Sequence, residues 1–131
     1  MDIASLKAAY RGYIACLNRQ DWLALGDFVD EDVRYNGERV GLDGYRRMLE
    51  EDFRRIPDLR FVIDLLIAEP PRIAARLCFD CTPAGELFDV PVNGRRVRFT
   101  ENVFYTLEAG RIVAVQSVID KATVAAQVLM T

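Results

Sequence analysis

A carboxylate ends the last alternating segment of the chain. In RIVAVQSVID, residues 111–120, apolar side chains alternate with others as in a β-strand, and Asp120 stands at the end. A carboxylate in apolar surroundings has a raised pKa, so that it can hold or accept a proton near neutral pH. Asp120 is therefore a candidate general base.

The preceding segment, RRVRFTENVFYTL, predicts the antiparallel partner of this strand, with a tight turn at Ala109-Gly110. Counting back from that turn gives four expected cross-strand pairs: Glu108 with Arg111, Val103 with Gln116, Glu101 with Val118 and Phe99 with Asp120. Because side chains alternate, one face should then combine the carboxylates of Glu101 and Asp120 with Gln116 and Tyr105. The last two can orient a carbonyl group or donate to an oxyanion.

A structural role for Asp120 competes with the catalytic one. The segment KATVAAQVL directly follows it and is compatible with a helix. An aspartate at that position is a favourable N-cap, because its carboxylate accepts the free N–H groups of the first helical turn. The sequence alone leaves both roles open.

Composition predicts a single domain over residues 1–131. The chain has 131 residues, of which 51% are hydrophobic, enough for one sizeable core. No segment reaches the roughly 18 consecutive apolar residues of a membrane span, and the charged, periodic N-terminus is unlike a signal peptide. Three cysteines give no disulfide framework. We expect a soluble protein of the reducing cytoplasm.

Charge and the lack of histidine exclude several classes of function. The net charge of -3 gives no basic surface for nucleic acid, and no membrane partner is indicated. The arginine pairs at 46–47 and 54–55 share a predicted helix with Glu50, Glu51 and Asp52, which favours a solvated face of mixed charge. With no histidine, the chain lacks serine–histidine and cysteine–histidine dyads and imidazole zinc sites. We expect no metal and no cofactor.

Helical periodicity comes first along the chain and strand patterns follow. Apolar spacing predicts a helix at about 3–18, a short one after Asp21 and a third ending at Pro57. An extended piece at Val33–Tyr35 lies between the last two. From Leu59 onward, LRFVIDLLIA with IAARLCFDC predicts one hairpin, and FDVPV with RRVRFTENVFYTL predicts another around Asn93-Gly94. Helices followed by an antiparallel meander indicate an α+β fold.

Taken together, four stretches resemble the SnoaL-like polyketide cyclases of the nuclear transport factor 2-like superfamily. They are NRQDWLALGDFVDEDVRYNG, GLDGYRRMLEEDFRRIPDLRF, ELFDVPVNGRRVRF and EAGRIVAVQSVID, in this order over nearly the full chain. The resemblance implies a curved antiparallel β-sheet wrapped by three N-terminal helices into a cone, with a deep apolar pocket, and usually a homodimer.

The resemblance also implies a reaction. True cyclases of this family close a polyketide ring by an intramolecular aldol reaction without metal or cofactor, using a pocket aspartate that Asp120 matches. The chain departs from family patterns at Thr82 and Asn36, where a histidine is common, and at Gln116, where a tryptophan is common. Val103 occupies the place of a frequent polar partner of the aspartate, two residues from Glu101.

Three functions follow as hypotheses: a small-molecule cyclase or isomerase, a ligand-binding protein without turnover, and a dimeric interaction module. The expected ligand is small and hydrophobic or polyketide-like. The expected catalytic residues are Asp120 and Glu101. The expected substrate-binding residues are Gln116, Asn36, Tyr105, Tyr13, Trp22 and Val103, although Tyr13 and Trp22 also fit core positions and Asn36 also fits a turn.

Overall fold

The computed structural model describes residues 1–129, in which helices pack against a curved sheet. The helices are α1 (Ile3–Asn18), α2 (Gly41–Arg55) and α3 (Lys121–Leu129), with a 3-10 turn at Leu25–Asp27. The strands are β1 (Val29–Tyr35), β2 (Glu38–Arg39), β3 (Val62–Glu69), β4 (Arg72–Cys81), β5 (Glu86–Leu87), β6 (Val90–Pro91), β7 (Val97–Glu108) and β8 (Arg111–Ile119). None of the helices in the described range is long and apolar enough to cross a membrane.

Helix α1 forms where the periodicity predicts it. Asp2 caps it by accepting the N–H of Ser5 at 2.7 Å. The predicted second helix is only the 3-10 turn, because the chain enters β1 at Val29, which pairs with Ile112 of β8. Asp21 lies ahead of this turn and accepts the N–H of Ala24 at 3.3 Å, and no side chain caps the 3-10 turn itself.

The main sheet has six strands in the order β2-β1-β8-β7-β4-β3. The β3–β4 and β7–β8 pairs are the expected antiparallel neighbours, but β1 runs parallel to β8, so the sheet is mixed. The parallel pair joins the first long strand to the last one. Val29 and Val33 of β1 are buried in the core.

The pairing of β7 with β8 contains a bulge that the sequence analysis did not anticipate. Glu108 lies opposite Arg111 as predicted, and Leu107 lies opposite Ile112, but Thr106 lies opposite Ala114. Val113 is thus an extra residue on β8, and every later partner is shifted by one position.

The bulge reverses the predicted faces of β8. The inner face of β7 carries Phe99, Glu101, Val103 and Tyr105 as expected. On β8, however, Val115 lies opposite Tyr105 and Ser117 opposite Val103. The prediction that Gln116, Val118 and Asp120 share the face of Glu101 is wrong, because a one-residue shift sends alternate side chains to the other side of the sheet.

The predicted hairpin around Asn93-Gly94 is also wrong in its pairing. Both residues have positive φ (50° and 82°), so the turn forms. However, β6 pairs with β5 through a two-residue connection at Phe88-Asp89, where φ is also positive at both residues. The turn at 93–94 leads from this small hairpin into β7 without pairing the flanking segments.

Helix α3 begins directly after Asp120. The Asp120 carboxylate accepts the backbone N–H of Thr123 at 3.2 Å and the hydroxyl of the same residue. Further along the helix, the Gln127 side chain accepts the N–H of Arg98 at 2.9 Å and donates to the carbonyl of the same residue, which ties α3 to β7. Asp120 therefore occupies the N-cap position, the second of the two roles that the sequence left open.

Removing the cap should cost stability. Because Asp120→Ala leaves the N–H of Thr123 without its acceptor, we expect the free energy of unfolding to fall by about 1 kcal/mol. Asp120→Asn is the matched control, because asparagine caps as well as aspartate and should stay close to wild type. Urea unfolding followed by circular dichroism measures both variants. An alanine variant more stable than wild type would contradict the capping role.

Candidate active site

Two adjacent chambers lie between the helices and the inner face of the sheet. The first has a volume of about 60 Å³ and the second of about 140 Å³. They share five wall residues: Tyr35, Met48, Asp52, Phe61 and Glu101. Their volumes are below the roughly 300 Å³ at which drug-sized pockets begin, so they suit a compact ligand.

The first chamber is lined mainly by tyrosines and aliphatic residues. Its further walls are Tyr13, Leu17, Tyr45, Leu49, Leu77, Val103, Tyr105 and Val115. The hydroxyls of Tyr13 and Tyr45 lie 2.6 Å apart, and the hydroxyl of Tyr10, behind the wall, donates to that of Tyr105 at 3.0 Å. This chamber thus combines apolar walls with buried phenol groups.

The second chamber is apolar and rich in phenylalanine. Its further walls are Ile56, Leu59, Phe79, Leu87, Phe88, Phe99 and Ile119. Phe79 stacks on Phe99 with ring centroids 4.9 Å apart, and Phe88 meets Phe99 edge to face at 5.5 Å. Such walls favour a flat hydrophobic group.

Glu101 stands between the two chambers on β7. It lies opposite Leu77 of β4 and Ile119 of β8, both apolar. The hydroxyl of Ser117 donates a short hydrogen bond to its carboxylate. Ser117 is in turn held by Asn36, whose side-chain oxygen accepts the Ser117 N–H at 2.8 Å.

Asp52, on α2, lines the same two chambers as Glu101. It follows Met48 by four residues and Leu49 by three, so it lies on the face of α2 that packs over the sheet. Its side chain is exposed to solvent and also borders both chambers. The site therefore presents two carboxylates from two different elements.

The surroundings raise the pKa of both acids. Burial is the main cause at Glu101, and the hydrogen bond from Ser117 partly offsets it. At Asp52, burial and then the charge of Glu101 raise the pKa to about 7, against an opposing effect of Arg55. Since Asp52 keeps contact with open space, its desolvation is incomplete, and a ligand that displaced water there would raise this pKa further.

The structure brings only some of the sequence-predicted residues together. Glu101, Val103, Tyr105 and Tyr13 all line the first chamber. Gln116 is exposed beside Phe104 on the outer face of the sheet. Asp120 lies outside both chambers, in the cap of α3.

Asn36 and Trp22 also lie away from the chambers. Asn36 is exposed, with φ of 48°, and its N–H donates to Val115 at 2.8 Å, so it holds the end of β1 against β8. Trp22 packs edge to face against Phe53, with ring centroids 5.9 Å apart. Asn36 therefore acts on the site only through Ser117.

Asp52 was expected on a solvated face of mixed charge, and its side chain is indeed exposed, but it also borders both chambers, which was not expected. Its neighbours Glu50 and Glu51 do make exposed ion pairs with arginines of α2. Asp52, however, continues the apolar stripe that starts with Tyr45 and Leu49, which are buried. Helical spacing could have identified it as an acid on the inner face.

Metal ligands do not cluster at this site. Within residues 1–129, no group of three or more histidine, cysteine, aspartate or glutamate side chains could hold a metal ion. The polar groups on the chamber walls are carboxylates and phenols.

Fold and site define a cone-shaped α+β protein of the nuclear transport factor 2-like type, with an internal cavity. The family model for SnoaL-like polyketide cyclases matches residues 7–128. The chain therefore belongs to the SnoaL-like polyketide cyclase family, as its sequence motifs indicated. A comparison with curated proteins finds no match.

Solved structures agree with this assignment. A SnoaL-like polyketide cyclase from Agrobacterium tumefaciens shares 48% identity and a TM-score of 0.93, with 98% of this chain and 99% of that chain covered. TsrD from Streptomyces laurentii shares 23% identity and a TM-score of 0.85 over 97% and 96% of the two chains. IdmH from Streptomyces antibioticus shares 19% identity and a TM-score of 0.82 over 94% and 97%. The last two show a common fold.

The raised pKa of Asp52 should make stability fall as pH rises. An unfolded aspartate releases its proton near pH 4, whereas folded Asp52 holds it up to about pH 7. Between these values the folded state binds more protons, so the free energy of unfolding decreases with pH. We expect the decrease to be smaller in Asp52→Asn. Urea unfolding of wild type and variant between about pH 4.5 and 8 measures the difference.

Glu51→Gln is the matched control on the adjacent position of α2. Hydrogen bonds from Arg54 and Arg55 lower the pKa of Glu51, so its ionised form stabilises the fold above the pKa of the unfolded state. Because that contribution changes only at and below about pH 4.5, its removal should leave the slope of stability against pH between about 4.5 and 8 nearly unchanged. Parallel pH profiles of wild type and Asp52→Asn would contradict the assignment of a raised pKa to Asp52.

Proposed function

We propose that this protein is a small-molecule enzyme that moves a proton at an activated carbon, with Asp52 as general base and Glu101 as the acid that tunes it. The observation that carries the proposal is a pair of carboxylates in a cavity whose other walls are aromatic and aliphatic. The ligand is compact, hydrophobic or polyketide-like. The family and the 48% identical polyketide cyclase support this reaction class.

A base works best when its pKa lies near the working pH. Asp52, with a pKa of about 7, meets that condition, because it is ionised in part near neutrality and still accepts a proton readily. The carboxylate of Asp120 is already bound to the first turn of α3. The proposal therefore assigns the base to Asp52 instead of the residue that the family resemblance suggests.

The reaction begins with transfer of a proton from a carbon next to a carbonyl to the Asp52 carboxylate. The electron pair of the broken C–H bond moves onto the carbonyl oxygen and gives an enolate. In a cyclisation, the enolate carbon then attacks a second carbonyl of the same molecule, and the new alkoxide receives the proton. In an isomerisation, the proton returns to a different carbon.

Hydrogen–deuterium exchange of beta-tetralone tests the proton transfer. This small, flat ketone has activated C–H bonds, and exchange in D₂O is read by proton NMR. We expect the protein to accelerate exchange, with a rate that rises with pH around a midpoint near the pKa of Asp52, about 7. Asp52→Asn should lower the rate by about a hundredfold, as expected for loss of a general base.

Two further variants locate the base. Glu101→Gln removes the charge that raises the pKa of Asp52, so the midpoint should move to lower pH. Asp120→Asn keeps the cap and should keep the rate. Loss of exchange in Asp120→Asn with full exchange in Asp52→Asn would overturn the assignment. Binding of the ketone without faster exchange would instead make the protein a ligand-binding member of the family.

We also propose a homodimer through the outer face of the sheet, a partner that the family resemblance implies. Two neighbouring rows of side chains cross this face. The first row is Ile67, Ala74, Phe104 and Gln116, and the second is Leu65, Arg76, Asn102 and Val118. The large apolar members are exposed, Phe104 to 54% and Val118 to 66%. Contiguous apolar surface on a sheet favours association with another protein surface.

Sedimentation velocity tests the dimer. We expect wild type to sediment as a dimer at micromolar concentration and Phe104→Lys as a monomer, because a charge in an apolar interface loses its hydration. Leu23→Lys is the matched control, since Leu23 is fully exposed outside the sheet. A monomeric wild type, or a dimer unaffected by Phe104→Lys, would contradict this interface.

A further inference from the structure

The buried tyrosines hold more hydroxyl protons than their mutual hydrogen bonds use. Tyr10 donates to Tyr105, and one of Tyr13 and Tyr45 donates to the other. Each phenol has one O–H proton. Two hydrogen bonds among four hydroxyls consume two protons, and the remaining two belong to Tyr105 and to one member of the Tyr13–Tyr45 pair.

These two remaining donors belong to residues that line the first chamber. Tyr13, Tyr45 and Tyr105 all contribute to its wall, whereas Tyr10 does not. All are at most 4% exposed. A buried donor without an acceptor costs about 1 to 3 kcal/mol, so an oxygen atom that entered this chamber would meet two favourable contacts.

Burial, together with nearby negative charge, keeps the tyrosines neutral. Burial is the main cause that raises the pKa of Tyr13, Tyr45 and Tyr105. The charge of Glu101 raises the pKa of Tyr13 and Tyr45 further. They therefore remain hydrogen-bond donors over the pH range in which Asp52 changes its charge.

We propose that the first chamber is an oxyanion site in which Tyr105 and the Tyr13–Tyr45 pair bind the carbonyl oxygen of the substrate. This rests on the proposed function and narrows it to a substrate class: compact ketones or related carbonyl compounds with a flat apolar body. The oxygen lies among the tyrosines, the activated C–H bond faces Asp52, and the apolar body occupies the phenylalanine-lined second chamber. The phenols stabilise the negative charge that reaches the oxygen when the proton leaves.

The affinity of beta-tetralone relative to tetralin tests the oxyanion site without turnover. The two molecules have the same ring skeleton and differ in the carbonyl group alone. Chemical-shift titration of the labelled protein gives both affinities. We expect wild type to bind the ketone about tenfold more tightly or better, the ratio that corresponds to one to two net hydrogen bonds.

Three variants test whether the tyrosine hydroxyl groups cause the preference for beta-tetralone over tetralin. Tyr105→Phe, and the double variant Tyr13→Phe with Tyr45→Phe, should each lose most of the preference for the ketone and keep the affinity for tetralin. The double variant removes both partners of one hydrogen bond, so it leaves no unsatisfied group and should fold. Tyr10→Phe is the matched control, because Tyr10 lies behind the chamber wall and Tyr105 keeps its own proton.

Each outcome decides the proposal. Three results would overturn the oxyanion site: equal affinities of the two probes for wild type, no binding of either probe, or an unchanged preference in the phenylalanine variants. The first two are obtained with wild type alone. If the preference depends on the tyrosines but wild type does not accelerate exchange, the proposed function fails and the oxygen-binding site stands. If exchange depends on Asp52 while the preference is independent of the tyrosines, the proposed function stands and this inference fails.

Discussion

The bulge at Val113 determines which side chains of β8 face the interior. Before it, Leu107 pairs with Ile112, and after it, Thr106 pairs with Ala114. The one-residue shift turns Ser117 inward and Gln116 outward. Since Ser117 then donates to Glu101, the bulge supplies the only hydrogen bond that the Glu101 carboxylate receives from the described residues. Without this shift an amide, instead of a small hydroxyl, would occupy the wall beside the glutamate.

Two acids in an apolar cavity lower the stability of the folded state whenever both are charged. Burial and mutual repulsion act in the same direction at Asp52, and burial acts at Glu101. The surrounding residues offset this only in part, through Ser117 at one acid and Arg55 at the other. Such an arrangement is characteristic of functional sites, where proteins retain groups that an apolar residue would outperform for stability alone.

Local patterns in the sequence predicted much of the fold. The amphipathic spacing of α1, the cap at Asp120 and the tight turn between β7 and β8 depend on neighbouring residues, and they lie where expected. The bulge and the parallel pairing of β1 with β8 depend on how distant segments pack, and no short pattern records them. The same distinction applies to the site. Its residues on β7 could be predicted from the sequence, and its residues on β8 could not.

The acid on α2 was overlooked for a different reason. Asp52 has helical spacing to buried residues, but its acidic and basic neighbours make the segment look uniformly solvated. The mean composition of a helix hides a charged residue that borders a cavity, whereas the angular position of that residue around the helix axis would reveal it.

Asn36 gives the site a connection to the protein surface. It is exposed at the end of β1, holds the N–H of Ser117, and Ser117 holds Glu101. A change at this surface position would alter the proton affinity of an acid that it never touches. Sequence variation at the end of β1 would thereby change the acidity of Glu101 from outside the cavity.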